Sequence, residues 1–242
     1  SSYSTAKPHY ANVDEYPVKQ GSLEEMVYSA EKTDFSVWSP SADSVYLNIY
    51  ADAQSAEPIE RLLMTPQADG SWTASVKGDW NGNLYTFQVV DAASRWKLHE
   101  TPGIFAKAVG VNGRRAAIID MATTNPIGWS KDVRPAFAGA KDAIVYEMHH
   151  RDMTIHATSG VHNKGKFVGW IEHGTKTAEG LATGIDHLVE LGVTHVQILP
   201  SYDYGSVDET RLVDNKYNWG YDPVNYNAPD GGYSTNPYDP AT

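Results

Sequence analysis

Residues 179–200 read EGLATGIDHLVELGVTHVQILP. Leu181, Ile185, Leu188 and Leu191 recur at helical spacing, and Gly192 stands where a left-handed residue closes a helix. THVQILP (194–200) then reads as a short buried strand, stopped by Pro200. Upstream, DAIVYEMHH (142–150) is a near-continuous apolar run, the pattern of a strand covered on both faces. Strand, helix and strand make a βαβ unit, which implies a parallel sheet and a right-handed crossover.

Before this unit the pattern is different. DFSVWSP sets Phe35 and Val37 against Ser36 and Trp38, and SVYLNIYAD sets Val45, Leu47 and Ile49 against Tyr46, Asn48 and Tyr50. In SWTASVKG, Trp72, Ala74 and Val76 share a face, and in GNLYTFQVVD Tyr85, Phe87 and Val89 oppose Leu84, Thr86 and Gln88. Short alternating runs separated by Asp-Gly and Asn-Gly predict an antiparallel β-sandwich of the immunoglobulin-like kind. MATTNPIGWSKDVRPAFAGAKD (121–142) has no period and reads as a linker lying over a surface. The expected organisation is an extension (1–30), a sandwich (31–120), the linker (121–142) and an α/β portion (143–242).

The α/β portion is too short to close on itself. A (β/α)8 barrel of the TIM type takes about 250 residues, and active sites of that fold lie in the loops after its strands. Residues 143–242 hold two strands, one helix and a long tail. A tail of about 40 residues without structure is uncommon unless it is functional or supported elsewhere. The expected fold class is therefore an all-β sandwich followed by the first βαβ portion of an incomplete (β/α)8 TIM barrel. The remainder is expected as a second chain, because bare parallel strands leave apolar faces and edges open.

Composition narrows the partners. A formal net charge of −11 disfavours nucleic acid, whose phosphates would be repelled. No apolar run approaches the roughly 18 residues of a membrane span. The absence of Cys excludes disulfides and thiolate metal sites but leaves the compartment open. Seven Trp and fifteen Tyr against five Phe favour flat rings with polar tips, surfaces on which sugars stack. The tail YNWGYDPVNYNAPDGGYSTNPYDPAT (217–242) alone carries one Trp and five Tyr.

Several of these stretches resemble one family. FSVWSPSADSVYLNIY (35–50) and GSWTASVKGDWNGNLYTFQV (70–89) resemble strands of the family 48 carbohydrate-binding module. FAKAVGVNGRRAAIID (105–120) and IVYEMHHRDMT (144–154) resemble the connection and first barrel strand of type I pullulanases, debranching enzymes of glycoside hydrolase family 13. GIDHLVELGVTHVQILP (184–200) resembles the next helix and strand, and YNWGYDP (217–223) the motif that sets type I pullulanases apart.

The resemblance implies retaining hydrolysis of α-1,6 links in pullulan and branched α-glucans. That chemistry uses a nucleophile and an acid/base carboxylate roughly 5–5.5 Å apart. In the family those groups belong to later strands, and no segment here matches them, so no catalytic residue is assigned in this chain. Tyr221 matches the aromatic platform beneath the sugar, Trp219 the neighbouring wall, and Asp222 a group that accepts sugar hydroxyls. Gly220 allows close approach of backbone and rings. His150 stands where the family usually has Val; it reads as a variant on the rim or as a hydroxyl contact. Glu147 and Arg151 read as a structural pair. The expected ligands are α-glucan oligosaccharides, with no cofactor for the reaction, although some relatives carry a structural calcium. The His-rich stretch HHRDMTIHATSGVH (149–162) matches no compact zinc spacing.

Trp38, Trp72 and Trp80 are candidates for glucan stacking on the sandwich, with packing the competing role. The competing functions are isoamylase-type debranching or glucan branching, and a non-catalytic α-glucan-binding module.

Overall fold

The computed structural model describes residues 10–91 and 100–242. The first nine residues of the expected extension lie outside the described residues. Among the described residues nine strands come first: β1 (Met26–Tyr28), β2 (Lys32–Trp38), β3 (Ser44–Tyr50), β4 (Glu60–Leu63), β5 (Thr65–Pro66), β6 (Ser71–Lys77), β7 (Leu84–Val90), β8 (Glu100–Thr101) and β9 (Ala116–Ala117). They form two antiparallel sheets, β1-β2-β6-β5 and β4-β3-β7-β8, with β9 also paired to β7.

Alternation decides which side chains meet between the sheets. Phe35, Val37, Trp72 and Val76 from one sheet are buried with Val45, Leu47, Ile49, Tyr85 and Phe87 from the other. The Phe35 and Tyr85 rings meet edge to face at 5.0 Å, as do Tyr85 and Phe87 at 5.5 Å. Trp72 is therefore a core residue whose indole N–H donates to the Ser39 carbonyl at 2.9 Å, and it offers no stacking surface. The outer face of β3 and β7 is also covered. Tyr50 and Leu84 pack with Ala108, Ala117 and Ile119, because the segment after β8 returns across that face. The alternation read in β3 and β7 is correct, but its second face is not solvated.

The next elements are β10 (Val145–Met148), α1 (Gly184–Glu190) and β11 (His195–Ile198). Strands β10 and β11 pair in parallel, from Val145 opposite His195 to Met148 opposite Ile198. Gly192 follows the helix with φ +72°, the left-handed conformation read for it. Only Leu188 of the four leucine/isoleucine positions is deeply buried, and Leu181 precedes the helix rather than lying on it. The strands depart further from expectation: Val145 is 58% exposed, and Ile144, Ile198, Val189 and Leu191 are exposed too. Two strands and a helix of seven residues cannot cover both faces of their own sheet.

The linker does not lie over a surface either. It forms 3-10 turns at Met121–Thr124, Trp129–Lys131 and Ala140–Asp142, and Ile127, Trp129 and Val133 stand in solvent. Its Phe137 ring alone finds an aromatic partner there, His195 at 4.6 Å. The tail contains structure that its composition hides. β12 (Tyr202–Tyr204) and β13 (Pro223–Pro229) pair antiparallel with irregular register. No helix among the described residues is long and apolar enough to cross a membrane.

Candidate functional site

The motif 217–223 is held at the ends of β10 and β11. His149 follows β10, is buried, and its Nε2–H donates to the Asn218 carbonyl at 2.8 Å. Its Nδ1 accepts the backbone N–H groups of Arg151 at 3.2 Å and Asp152 at 3.4 Å, which leaves Nε2 as the nitrogen that donates to Asn218. The His149 ring also lies 5.2 Å from Tyr217. At the end of β11 stands Pro200, against which Gly220 packs. Gly220 has φ +87°, and a Cβ there would sit 2.6 Å from the Pro200 carbonyl oxygen. Gly220→Ala is expected to cost about 2 kcal/mol through strain and this clash, read as a drop in melting temperature. An unchanged melting temperature would show that the loop is free to leave Pro200.

A loop held this firmly still shows two bare rings. Tyr221 is 64% exposed and Trp219 63%, while the backbone between them is buried at Gly220. Exposed large rings on a fixed backbone present flat apolar faces with polar tips to their surroundings. Asp222 sits behind them, with Oδ2 accepting from the Ser206 hydroxyl and its carbonyl accepting the Gly205 N–H at 3.1 Å. Its Oδ1 is buried and has no partner among the described residues.

His150 is not on the rim. It is 4% exposed, enclosed by Phe167 at 4.8 Å, Tyr233 at 5.3 Å and Trp170 at 5.5 Å. Burial, with His149 adjacent, pushes its pKa down to about 4, so the ring is neutral near pH 7. Arg151 does not pair with Glu147, which is exposed; its guanidinium contacts Asp152 at 3.5 Å and the Asn215 side-chain oxygen. Two sandwich candidates remain partly accessible. Trp38 borders a cavity of about 890 Å³ with Ile104, Phe105 and Asn227, its indole N–H donating to the Asp69 carbonyl at 3.0 Å. Trp80 packs against the core, its indole N–H donating to the Lys77 carbonyl.

Behind the motif lies a cluster that composition does not reveal. Asp203, Glu209 and Asp230 are all buried, with ligand atoms within 4.8 Å of one another, the only such acidic or histidine group among the described residues. Glu209 accepts the N–H of Asn112 at 2.7 Å and of Gly231 at 3.0 Å; Asp230 accepts those of Gly232 at 2.8 Å and Tyr204 at 3.2 Å. Lys166 is the nearby cation, its ammonium donating to the Gly232 carbonyl at 2.7 Å. Hard oxygen donors of this kind suit calcium rather than zinc.

Desolvation raises the pKa of all three carboxyl groups, and Glu209 adds to the rise that takes Asp230 to about 7. Raised carboxylate values mean that the folded state holds protons the unfolded chain has released. In EDTA, this part of the stability is complete below about pH 4 and is lost as pH rises through about 7. The melting temperature is expected to fall across that window, and Asp230→Asn to flatten the fall. Asp69 and Asp208, held down to about 2 by hydrogen bonds from Lys19 and Thr210, lose their contribution only below the window. A melting temperature that climbs from pH 4 to 7 would contradict the assignment.

Of the site residues expected from the sequence, Trp219, Tyr221 and Asp222 come together on one loop, and His150 sits apart in its aromatic box. His149, Asn112 and Glu209 were not singled out from sequence. For His149 a signal existed, its place at the end of an apolar strand; for the other two there was none.

Comparison with known proteins places these features. Carbohydrate-binding module 48 (isoamylase N-terminal domain) matches residues 23–102. A pullulanase of Bacillus subtilis is 39% identical over 216 residues, covering 89% of this chain and 29% of its own length. A crystal structure of a Paenibacillus barengoltzii pullulanase complexed with maltohexaose and α-cyclodextrin superposes with TM-score 0.90 at 45% identity, over 95% of this chain and 35% of that one. A pullulanase from Anoxybacillus sp. LM18-11 complexed with maltotriose gives TM-score 0.85 at 40% identity, over 94% and 31%. The chain thus spans about a third of the length of these relatives. With a family 48 module matched at residues 23–102 and this similarity over most of its length, the chain is similar to an N-terminal part of the pullulanases.

Proposed function

We propose that this chain supplies one wall of the glucan cleft of a debranching glycoside hydrolase that cleaves α-1,6 links in pullulan and branched α-glucans. The observation that carries the reading is the pair of exposed rings, Tyr221 and Trp219, on a loop clamped by His149 and Pro200. Tyr221 is the platform on which a glucose ring stacks, Trp219 the side wall, and Asp222 a hydroxyl acceptor. His150, closed off by aromatic rings, acts through its neighbours and reaches a hydroxyl only if those rings part.

The β10-α1-β11 unit is the opening of a (β/α)8 barrel, whose strand ends point to the loop-borne site. Its remaining strands, and the nucleophile and acid/base carboxylates of a retaining mechanism, lie in the part of the relatives' length that this chain does not span. That remainder is the partner chain, and it covers the apolar surface at Ile144, Val145 and Ile198. The reaction takes no cofactor. A structural calcium would be held by Asp203, Glu209 and Asp230, where it would relieve shared negative charge; adding calcium should raise the melting temperature at pH 8 relative to EDTA.

The test is a digest of pullulan by the complete enzyme that contains this chain. Maltotriose as the product supports the reading. Activity on long glycogen branches with pullulan untouched favours the isoamylase-type alternative, and glucan binding without cleavage the non-catalytic one.

A further inference from the structure

Between the sandwich and the motif loop runs one unbroken line of contacts. It starts at the turn Val111–Gly113, which precedes β9. Asn112 occupies the left-handed region at φ +63°, a conformation Asn tolerates better than other side chains. Its N–H donates to Glu209 Oε2 at 2.7 Å, and its Oδ1 accepts the Glu209 N–H at 2.8 Å. Its Nδ2 donates to Asp208 Oδ1 at 3.0 Å. Beside it, the Gly113 carbonyl accepts from Asn225 Nδ2 at 2.9 Å, and a Cβ at Gly113 would fall on Asp203. The tip of the sandwich is thus plugged into the base of β12 and β13.

From Glu209 the line continues. Its second oxygen takes the Gly231 N–H, next to Asp230, which holds the N–H of Tyr204. Tyr233 donates its N–H to the Asp230 carbonyl at 3.3 Å, its hydroxyl meets His149 Nε2 at 3.1 Å, and His149 holds the Asn218 carbonyl. Asn218 in turn takes the Gly220 N–H at 2.5 Å, immediately before Tyr221. Every link is a hydrogen bond or a chain neighbour, and Glu209, Asp230, Tyr233 and His149 are all buried.

We propose that Asn112 is a positioning residue for the stacking wall: through Glu209, Tyr233 and His149 the sandwich fixes the loop that presents Tyr221. The inference rests on the platform reading of Tyr221, since it deepens that site. It gives the sandwich a task distinct from holding glucan, namely setting the angle at which the platform meets its sugar. Asn112 touches no substrate and acts only through the loop.

The test uses the complete enzyme and two variants. Asn112→Gly keeps the left-handed turn, where glycine is at ease, and removes both side-chain contacts. Asp208→Ala removes the exposed partner of Nδ2 together with its hydrogen bonds from Thr210, a change confined to an exposed side chain at the start of the Glu209–Asp214 turn. The first readout is hydrogen exchange: amides of 217–222 are expected to exchange about tenfold faster in Asn112→Gly, with β3 and β7 unchanged. The second is a double-mutant cycle. Asn112→Gly lowers kcat/KM on pullulan about tenfold alone but less than about twofold further in a Tyr221→Ala background. A merely structural role would add in full.

Loop exchange unchanged in both variants overturns the inference, as does full additivity with Tyr221→Ala. Should Asn112→Gly not fold, Asp208→Ala decides by the same two readouts, with smaller shifts. A wild-type enzyme inactive on pullulan whose loop still loosens in the variants sinks the debranching reading and leaves the coupling standing.

Discussion

Tyr221→Ala, made in the complete enzyme containing this chain, is expected to lower kcat/KM on pullulan about a hundredfold, roughly 2.7 kcal/mol of transition-state stabilisation. The ring stands 64% exposed, so its removal frees no cavity and leaves no buried group unpaired. The melting temperature should therefore stay within about 1 °C of the parent, since surface truncations rarely exceed about 0.5 kcal/mol. Loss of activity without loss of stability is the signature of a group that works on the substrate. Retaining glycosidases gain several kcal/mol from distorting the sugar, and a flat face beneath the ring opposes its slippage. Tyr221→Phe keeps the face and loses only the hydroxyl, so it should hold kcat/KM within about threefold. An alanine variant with unchanged kcat/KM would take Tyr221 out of the site, whatever its exposure.

The sequence made the sandwich legible because its strands alternate. Phe35, Val37, Val45, Leu47, Ile49, Trp72 and Val76 all fall where period two places them. It hid the second covered face, since Tyr50 and Leu84 are buried by a segment with no period of its own. The parallel pairing of β10 and β11 was legible from the intervening helical spacing, while their exposure was not, because an apolar run reports preference for burial and not the presence of a cover. Strands β12 and β13 were missed: three residues and a proline-bounded seven give too few alternations to stand out among Tyr, Asn and Asp. On the site, the exposed rings at 219 and 221 came from the motif. His149 did not: its place at the end of an apolar strand marks a strand-end residue, but spacing does not show that its ring bonds a backbone carbonyl. The buried carboxylates at 203, 209 and 230 were hidden for the same reason, being scattered among residues that read as loop.

His149→Ala carries the largest expected loss of stability. The ring is buried, and four groups depend on it: the Asn218 carbonyl, the N–H groups of Arg151 and Asp152, and the Tyr233 hydroxyl. Alanine leaves these without their partner and opens a cavity between Tyr217 and Tyr233, whose rings lie 5.2 and 5.9 Å from the imidazole. Unmade buried hydrogen bonds cost about 1–3 kcal/mol, and a large-to-small change in a packed site adds a cavity term. Because water enters a polar cavity and re-pairs some of these groups, the expected sum is about 3–4 kcal/mol, read from thermal or denaturant unfolding. Activity should fall with it, since Asn218 is released and the backbone that carries Tyr221 gains freedom. Here kcat/KM and stability decline together, which separates a clamp from the platform it holds. His149→Gln supplies a side-chain N–H for the Asn218 carbonyl while losing the ring, and should recover part of the stability. If the alanine variant melts within about 1 °C of the parent, the loop owes its position to Gly220 against Pro200 alone, and the clamp at the end of β10 has to be abandoned.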